Sequence, residues 1–134
     1  MLVVRRSQLD AMLLGSPQLL VADIEKHLLE FRPQVVAAYP RPYLRWVIED
    51  SVAIGTGFGI DDVQMLRVFV RLRWDIAPGY YRQPQIAAVL ADRSLGAAQR
   101  FERLAGADFA PAWADALRFD DPAEWRQRFW SDAA

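Results

Sequence analysis

Apolar residues in this chain recur every three or four positions, and nowhere do they sustain an alternation of two. That period belongs to helices that bury one face, and it leaves little room for a sheet. The clearest case follows Pro17, where Leu20, Ile24, Leu28 and Phe31 fall on one stripe and Asp23, Glu25, Lys26 and Glu30 fill the rest. Pro17 suits the first turn, because its missing N–H costs nothing there. Ahead of it, Ser7 caps a short helix over 8–14 that Gly15 closes. Pro33 terminates the long helix or kinks it.

A second helix restarts after Pro40 and Pro42, with Leu44, Val47, Ile48 and Ile54 facing inward and Arg45 and Glu49 outward. A third is predicted over 62–76, where Val63, Leu66, Phe69, Val70 and Ile76 keep helical spacing. Leu72 and Trp74 add apolar surface on further sides, so this helix is expected to be central. The run "LRVFVRLRW" within it is compatible with a strand, but its flanks and length favour helix. Pro78-Gly79 marks a turn. A short apolar helix follows in "QIAAVLAD", then one capped by Ser94 with Leu95, Ala98, Phe101 and Leu104 inward. Beyond Gly106 one or two short helices are expected, with Asp121-Pro122 as a start. No repeat or low-complexity linker divides the chain.

The 134 residues and 53 % hydrophobic content suffice for one ordinary domain with its own core. There is no cysteine, which removes thiol catalysis, zinc–thiolate sites and disulfides from consideration. Sixteen basic against 17 acidic residues give no net pull toward nucleic acid or anionic lipid. Lys26 is the only lysine, an imbalance that reads as coding bias toward arginine. Arg5, Arg6, Gln8 and Asp10 interrupt the N-terminal apolar run, so no signal peptide is read, and no stretch has the length of a membrane span. A soluble, cytoplasmic chain is the expectation.

The stretch "SVAIGTGFGIDDV" carries Gly55, Gly57 and Gly59. A dinucleotide fingerprint needs G-x-G-x-x-G, and Ile60 stands where the third glycine belongs. A P-loop needs a following lysine, and Asp61 and Asp62 would repel a phosphate. The stretch therefore reads as an interhelical elbow. Gly57 or Gly59 supplies a left-handed closing residue, Asp61 or Asp62 caps the next helix, and Phe58 and Ile60 plug the loop.

Candidate chemistry is sparse. His27, the single histidine, borders the Leu20–Phe31 stripe, where a structural role fits better than a metal site with Asp23 four residues earlier. The pairs Glu49-Asp50, Asp61-Asp62 and Asp120-Asp121 are sequence neighbours. Such residues diverge by about 100° on a helix and do not converge as an acid–base dyad. None of Ser7, Ser16, Ser51 and Ser94 lies in a nucleophile elbow. No catalytic, cofactor-binding or metal-binding residues are assigned. Arg67, Arg71 and Trp74 share a helix face, suited either to an acidic partner or to acids of a neighbouring helix. Phe109, Trp113, Phe119, Trp125, Phe129 and Trp130 crowd the C-terminal end. They either wrap the bundle or form an interaction patch. Arg118, Arg126 and Arg128 give this end no basic surplus for nucleic-acid stacking.

The segments "VVRRSQLDAM", "FGIDDVQMLRVFVRLRWDIAPGY" and "LADRSLGAAQRFERL" resemble small helical proteins of proteobacteria encoded beside type VI secretion genes, near spike, tip or effector genes. The similarity covers most of the first 105 residues. It implies a non-enzymatic accessory: an adaptor, an effector chaperone or an immunity protein, with no cofactor and no catalytic residues.

The expectation is an all-α, single-domain bundle of about five to seven helices over 1–134, with a core over about 7–105 and an aromatic-rich tail over 106–134. The expected partner is another protein, a secretion effector, toxin or spike component. Arg67, Arg71, Trp74, Trp113, Trp125, Phe129 and Trp130 are the candidate contact residues. Two alternatives stand beside this reading: an enzyme using His27 or a carboxylate in a deep polar pocket, and a small-ligand regulatory domain gated by the Gly55–Gly59 elbow.

Overall fold

The three longest helices, α2 (Pro17–Phe31), α4 (Arg41–Gly57) and α5 (Val63–Asp75), meet along their apolar stripes and form the centre of the molecule. The structure, a computed structural model, describes residues 6–121. Five shorter helices complete an all-α architecture: α1 (Arg6–Leu14), α3 (Pro33–Val36), α6 (Pro84–Leu90), α7 (Ala97–Leu104) and α8 (Ala110–Ala116). Among the described residues there are thus eight α-helices against the expected five to seven, and no strand. The extra ones are single turns and short pieces, such as the four-residue α3 set off by Pro33.

The central packing follows from the stripes. Leu20, Ile24 and Leu28 of α2 are buried, each contributing roughly 1.5–3 kcal/mol relative to exposure. Phe31 was expected on the same stripe but is 54 % exposed, because α2 ends there and its ring turns onto His27, centroid to centroid 4.7 Å. α4 buries Leu44, Val47, Ile48, Ser51 and Gly55, while Ile54 is only half-buried at the flank. α5 touches α1, α2, α4 and α7, and its Leu66, Phe69 and Val70 are sealed from solvent, so it is central as its pattern predicts.

Helix directions can be read from side-chain pairs. Asp50 and Ser51 meet Arg73, and Gly55 faces Leu66 and Phe69, so α4 and α5 run antiparallel. Asp23 meets Arg67, and Arg32 meets Asp75, so α2 and α5 run parallel in a constant register. α7 packs on α5, the 3₁₀ turn Tyr80–Arg82 meets α5 at Phe69, and α6 and α8 pack on that turn. Ala112 and Ala116 of α8 belong to the core, which therefore continues past Gly106.

The helix ends use the expected chemistry with some substitutions. Ser16 caps α2 through Leu19 N–H, and Asp62 caps α5 through Met65 N–H at 3.0 Å. Gly59, at φ +80°, is the left-handed residue of the elbow, and Ile60 behind it is buried. Gly15 has no positive φ, and α1 closes by ordinary Gly15 N–H to Ala11 carbonyl bonding. Ser94 does not cap α7. It donates to Asp92 in a local turn, and α7 starts at Gly96, whose N–H donates to Gln99 Oε1. Of the expected inward face of α7, Leu104 is buried and Phe101 is half-buried against the core, while Ala98 is exposed and Ala97 and Arg100 are buried in its stead.

Candidate functional site

The shared face of α2 and α5 gathers most of the polar groups singled out in the sequence. Arg67 grips Asp23 with both arms of its guanidinium, Nε to Oδ2 at 2.9 Å and Nη2 to Oδ1 at 2.8 Å. One turn on, Arg71 pairs with Asp75 at 3.6 Å, and Asp75 also receives Arg32 Nε at 2.9 Å. These arginines serve the intramolecular alternative: they lace α5 to α2 and to itself. The third member of the expected face, Trp74, is half-buried and packs against the core.

His27 lies between the two arginine rungs. Burial, then the nearby guanidinium charges of Arg67 and Arg71, hold its pKa below the ordinary 6.5, while Asp23 and Glu30 oppose that shift. Its Nε2 is buried with no hydrogen-bond partner among the described residues. Beside it lies a hollow of about 250 Å³, open to solvent and lined by Asp23, Lys26, His27, Glu30, Phe31 and Arg67. This is a shallow surface feature, with its arginine and one carboxylate already committed to each other. Among the described residues no three acidic or imidazole groups converge as a metal site requires.

Three buried charges were not anticipated from the sequence. Arg73 is 1 % exposed, and it donates to the Pro78 carbonyl at 2.7 Å, to Ser51 Oγ at 2.8 Å and to Asp50 Oδ2 at 3.1 Å. Arg100 is also buried and donates to the carbonyls of Leu95, Phe58 and Leu90. Glu25, expected on the polar side of α2, is buried and accepts Arg41 Nη1 at 2.8 Å and Arg45 Nε at 2.9 Å. Periodicity was the available signal: Arg73 continues the Leu66–Phe69–Val70 stripe, and Arg100 lies between Ala97 and Leu104. Each ties separate segments of the fold together.

The glycine elbow is closed and clasped. Gly55 packs against Leu66 and Phe69, and Phe58 against the rings of Phe69 and Tyr81. Arg93 lies over Gly59 and donates to the Gly57 carbonyl at 2.8 Å, while Arg100 holds the Phe58 carbonyl. The positive φ of Gly59 and the Asp62 cap fit the elbow reading.

Of the C-terminal aromatics, Trp113 stacks on Tyr80 at 5.8 Å and donates its indole N–H to the Leu104 carbonyl at 2.7 Å. Phe109 packs on the core as well. Trp125, Phe129 and Trp130 lie outside the described residues. The apolar surface that does face water is concentrated elsewhere. Leu9, Met12 and Leu14 of α1 and Leu19 of α2 are all exposed on the first helical hairpin, Met12 at 59 %. Over residues 8–14 of α1 only Leu13 is buried.

No known protein family, no curated protein and no solved structure matches this chain. Among the described residues no helix is long and apolar enough to cross a membrane.

Proposed function

We propose that this protein is a non-enzymatic protein-binding accessory module, an adaptor, chaperone or immunity protein acting on a secretion effector or spike component. The observation that carries the binding role is the α1–α2 hairpin, which leaves Leu9, Met12, Leu14 and Leu19 in water. Large apolar side chains grouped on one element of a small domain favour a protein contact over solvent. The catalytic alternative has less support, because Arg67, Arg71, Arg73 and Glu25 are all engaged by other groups of the fold. The secretion assignment rests on the sequence resemblance alone.

Affinity purification from the native host with mass spectrometry tests this reading. A secretion effector, toxin or spike protein should copurify with the wild type and be lost with Met12→Asp combined with Leu19→Asp, whose melting temperature stays unchanged. Equal recovery with the variant, or recovery of neither class of partner, refutes it.

One observation favours a second reading, ligand binding at the α2–α5 hollow: the buried, unpartnered Nε2 of His27. A thermal-shift screen against metabolites tests it. A stabilising compound whose effect vanishes in His27→Gln supports it, and silence across a broad panel removes it.

A further inference from the structure

The hollow between α2 and α5 carries a balanced set of charges. Lys26 and Arg67 line it together with Asp23 and Glu30, so its formal charge cancels while both signs stay on its wall. One pair of that set is already committed. Asp23 is held by Arg67 Nε and Nη2, which leaves Arg67 Nη1 outside the pair. Lys26 and Glu30 are exposed, and no hydrogen bond or ion pair among the described residues engages either. They stand four apart on α2 with lysine first, the weaker order for pairing with each other.

The other two walls are uncharged. Phe31 is 54 % exposed and gives the hollow an apolar side, its ring lying against that of His27. With its pKa held below 6.5 by burial and by the neighbouring guanidinium groups, His27 is mainly neutral at pH 7. Its Nε2 is buried without a hydrogen-bond partner, a cost that a bound polar group removes. At about 250 Å³ the hollow lies below the roughly 300–1,000 Å³ of pockets that hold drug-sized ligands, so it suits a molecule of few heavy atoms.

We propose that this hollow takes a free α-amino acid with an apolar side chain, its carboxylate between Lys26 and Arg67, its ammonium at Glu30 and its side chain on Phe31. Such a role rests on ligand binding at the hollow, the second reading above, and names the class of ligand. A zwitterion matches walls that carry both signs and sum to zero. A lone anion would meet Glu30, and a lone cation Lys26, with no compensation. Either charged group of the ligand also completes His27: the carboxylate accepts from a protonated Nε2, or the ammonium donates to a bare one. The site is open and the ligand small, so a dissociation constant of about 1 mM is expected.

His27 is the only histidine, so its ring signals report on the hollow directly. The full chain is titrated by NMR at pH 7, above the lowered His27 pKa, with leucine, glycine, N-acetyl-leucine and leucine amide. Leucine should shift the His27 signals saturably, with a midpoint of about 1 mM. Glycine lacks the side chain and each blocked form lacks one charge, so all three should bind at least about fivefold more weakly. Lys26→Gln and Glu30→Gln, at exposed positions, should keep the wild-type melting temperature and weaken leucine by about the same factor. Equal binding of N-acetyl-leucine or leucine amide means that one charge alone is read, which overturns the amino-acid assignment and leaves ligand binding at the hollow standing. Equal binding of glycine, or leucine binding unchanged in both variants, overturns it as well. So does the absence of any shift with all four compounds, and the broad metabolite panel then judges ligand binding at the hollow by itself.

Discussion

His27 is a neutral group placed between cations, and that placement sets a pH dependence. Its folded-state pKa lies below 6.5, whereas the unfolded chain takes up the proton at that ordinary value. Below pH 6.5 the unfolded state therefore binds more protons, and stability falls as pH drops toward the lowered folded value. Above 6.5 the contribution is complete. Urea melts between pH 5 and 7.5 should show this slope in the wild type and a flatter profile in His27→Gln. Arg73 makes the opposite kind of demand, a buried charge that must remain held. Arg73→Ala removes the donor to Ser51 and Pro78 and leaves a cavity, so a loss of about 3 kcal/mol or more is expected from urea midpoints. Arg118→Ala, whose ion pair with Asp115 is exposed, should change stability by about 0.5 kcal/mol or less.

At the scale of elements, the three glycines of the elbow differ in what a methyl group would meet. At Gly59 alanine is strained by φ +80° and meets the Arg93 guanidinium at 3.2 Å, so Gly59→Ala should cost about 1–2 kcal/mol. At Gly55 the new Cβ lies 3.0 Å from Leu66 Cδ2, and overpacking of about 1–3 kcal/mol follows. At Gly57 nothing lies within 4 Å, so Gly57→Ala should stabilise by about 0.5 kcal/mol through reduced unfolded-state freedom. Thermal melts of the three variants should separate in sign. The elbow was legible because its determinants are local: a left-handed residue, an Asp cap and apolar plugs. The α2, α4 and α5 stripes were legible because burial imposes the helical period directly. The α7 face was legible only in part, since its register depends on whether Ser94 or Gly96 starts the helix, and the Asp92 turn captures the Ser94 hydroxyl. Glu25 and Arg73 were misplaced or missed for a related reason. A charge joins a buried stripe only when a partner arrives from another helix, and pairs such as Glu25–Arg41 are 16 positions apart in sequence.

Across the whole molecule, anchorage is uneven. α5 is enclosed by four other helices, while over residues 8–14 of α1 Leu13 is the one buried side chain. Local opening should follow that difference, with α1 amides exchanging fastest and those around Phe69 and Val70 only on global unfolding. Leu13→Ala should release α1 exchange further while leaving α5 protection nearly intact, a pattern that hydrogen-exchange mass spectrometry resolves. Asp23–Arg67, Arg32–Asp75, Glu25–Arg41, Glu25–Arg45 and Asp50–Arg73 act as fasteners between segments of the fold. The spacing of Arg67 and Arg71 showed that they share a face, but not that Asp23 waits opposite.

The guanidinium of Arg73 bonds at once to the second half of α4 and to the Pro78 bend that begins the C-terminal half. Cutting the polypeptide between Gly57 and Pro78 would part that charge from some of its acceptors, from Asp50 and Ser51 if the cut precedes Arg73 and from the Pro78 carbonyl if it follows. Neither fragment should be an autonomous folding unit, so successful reconstitution will need both pieces mixed together.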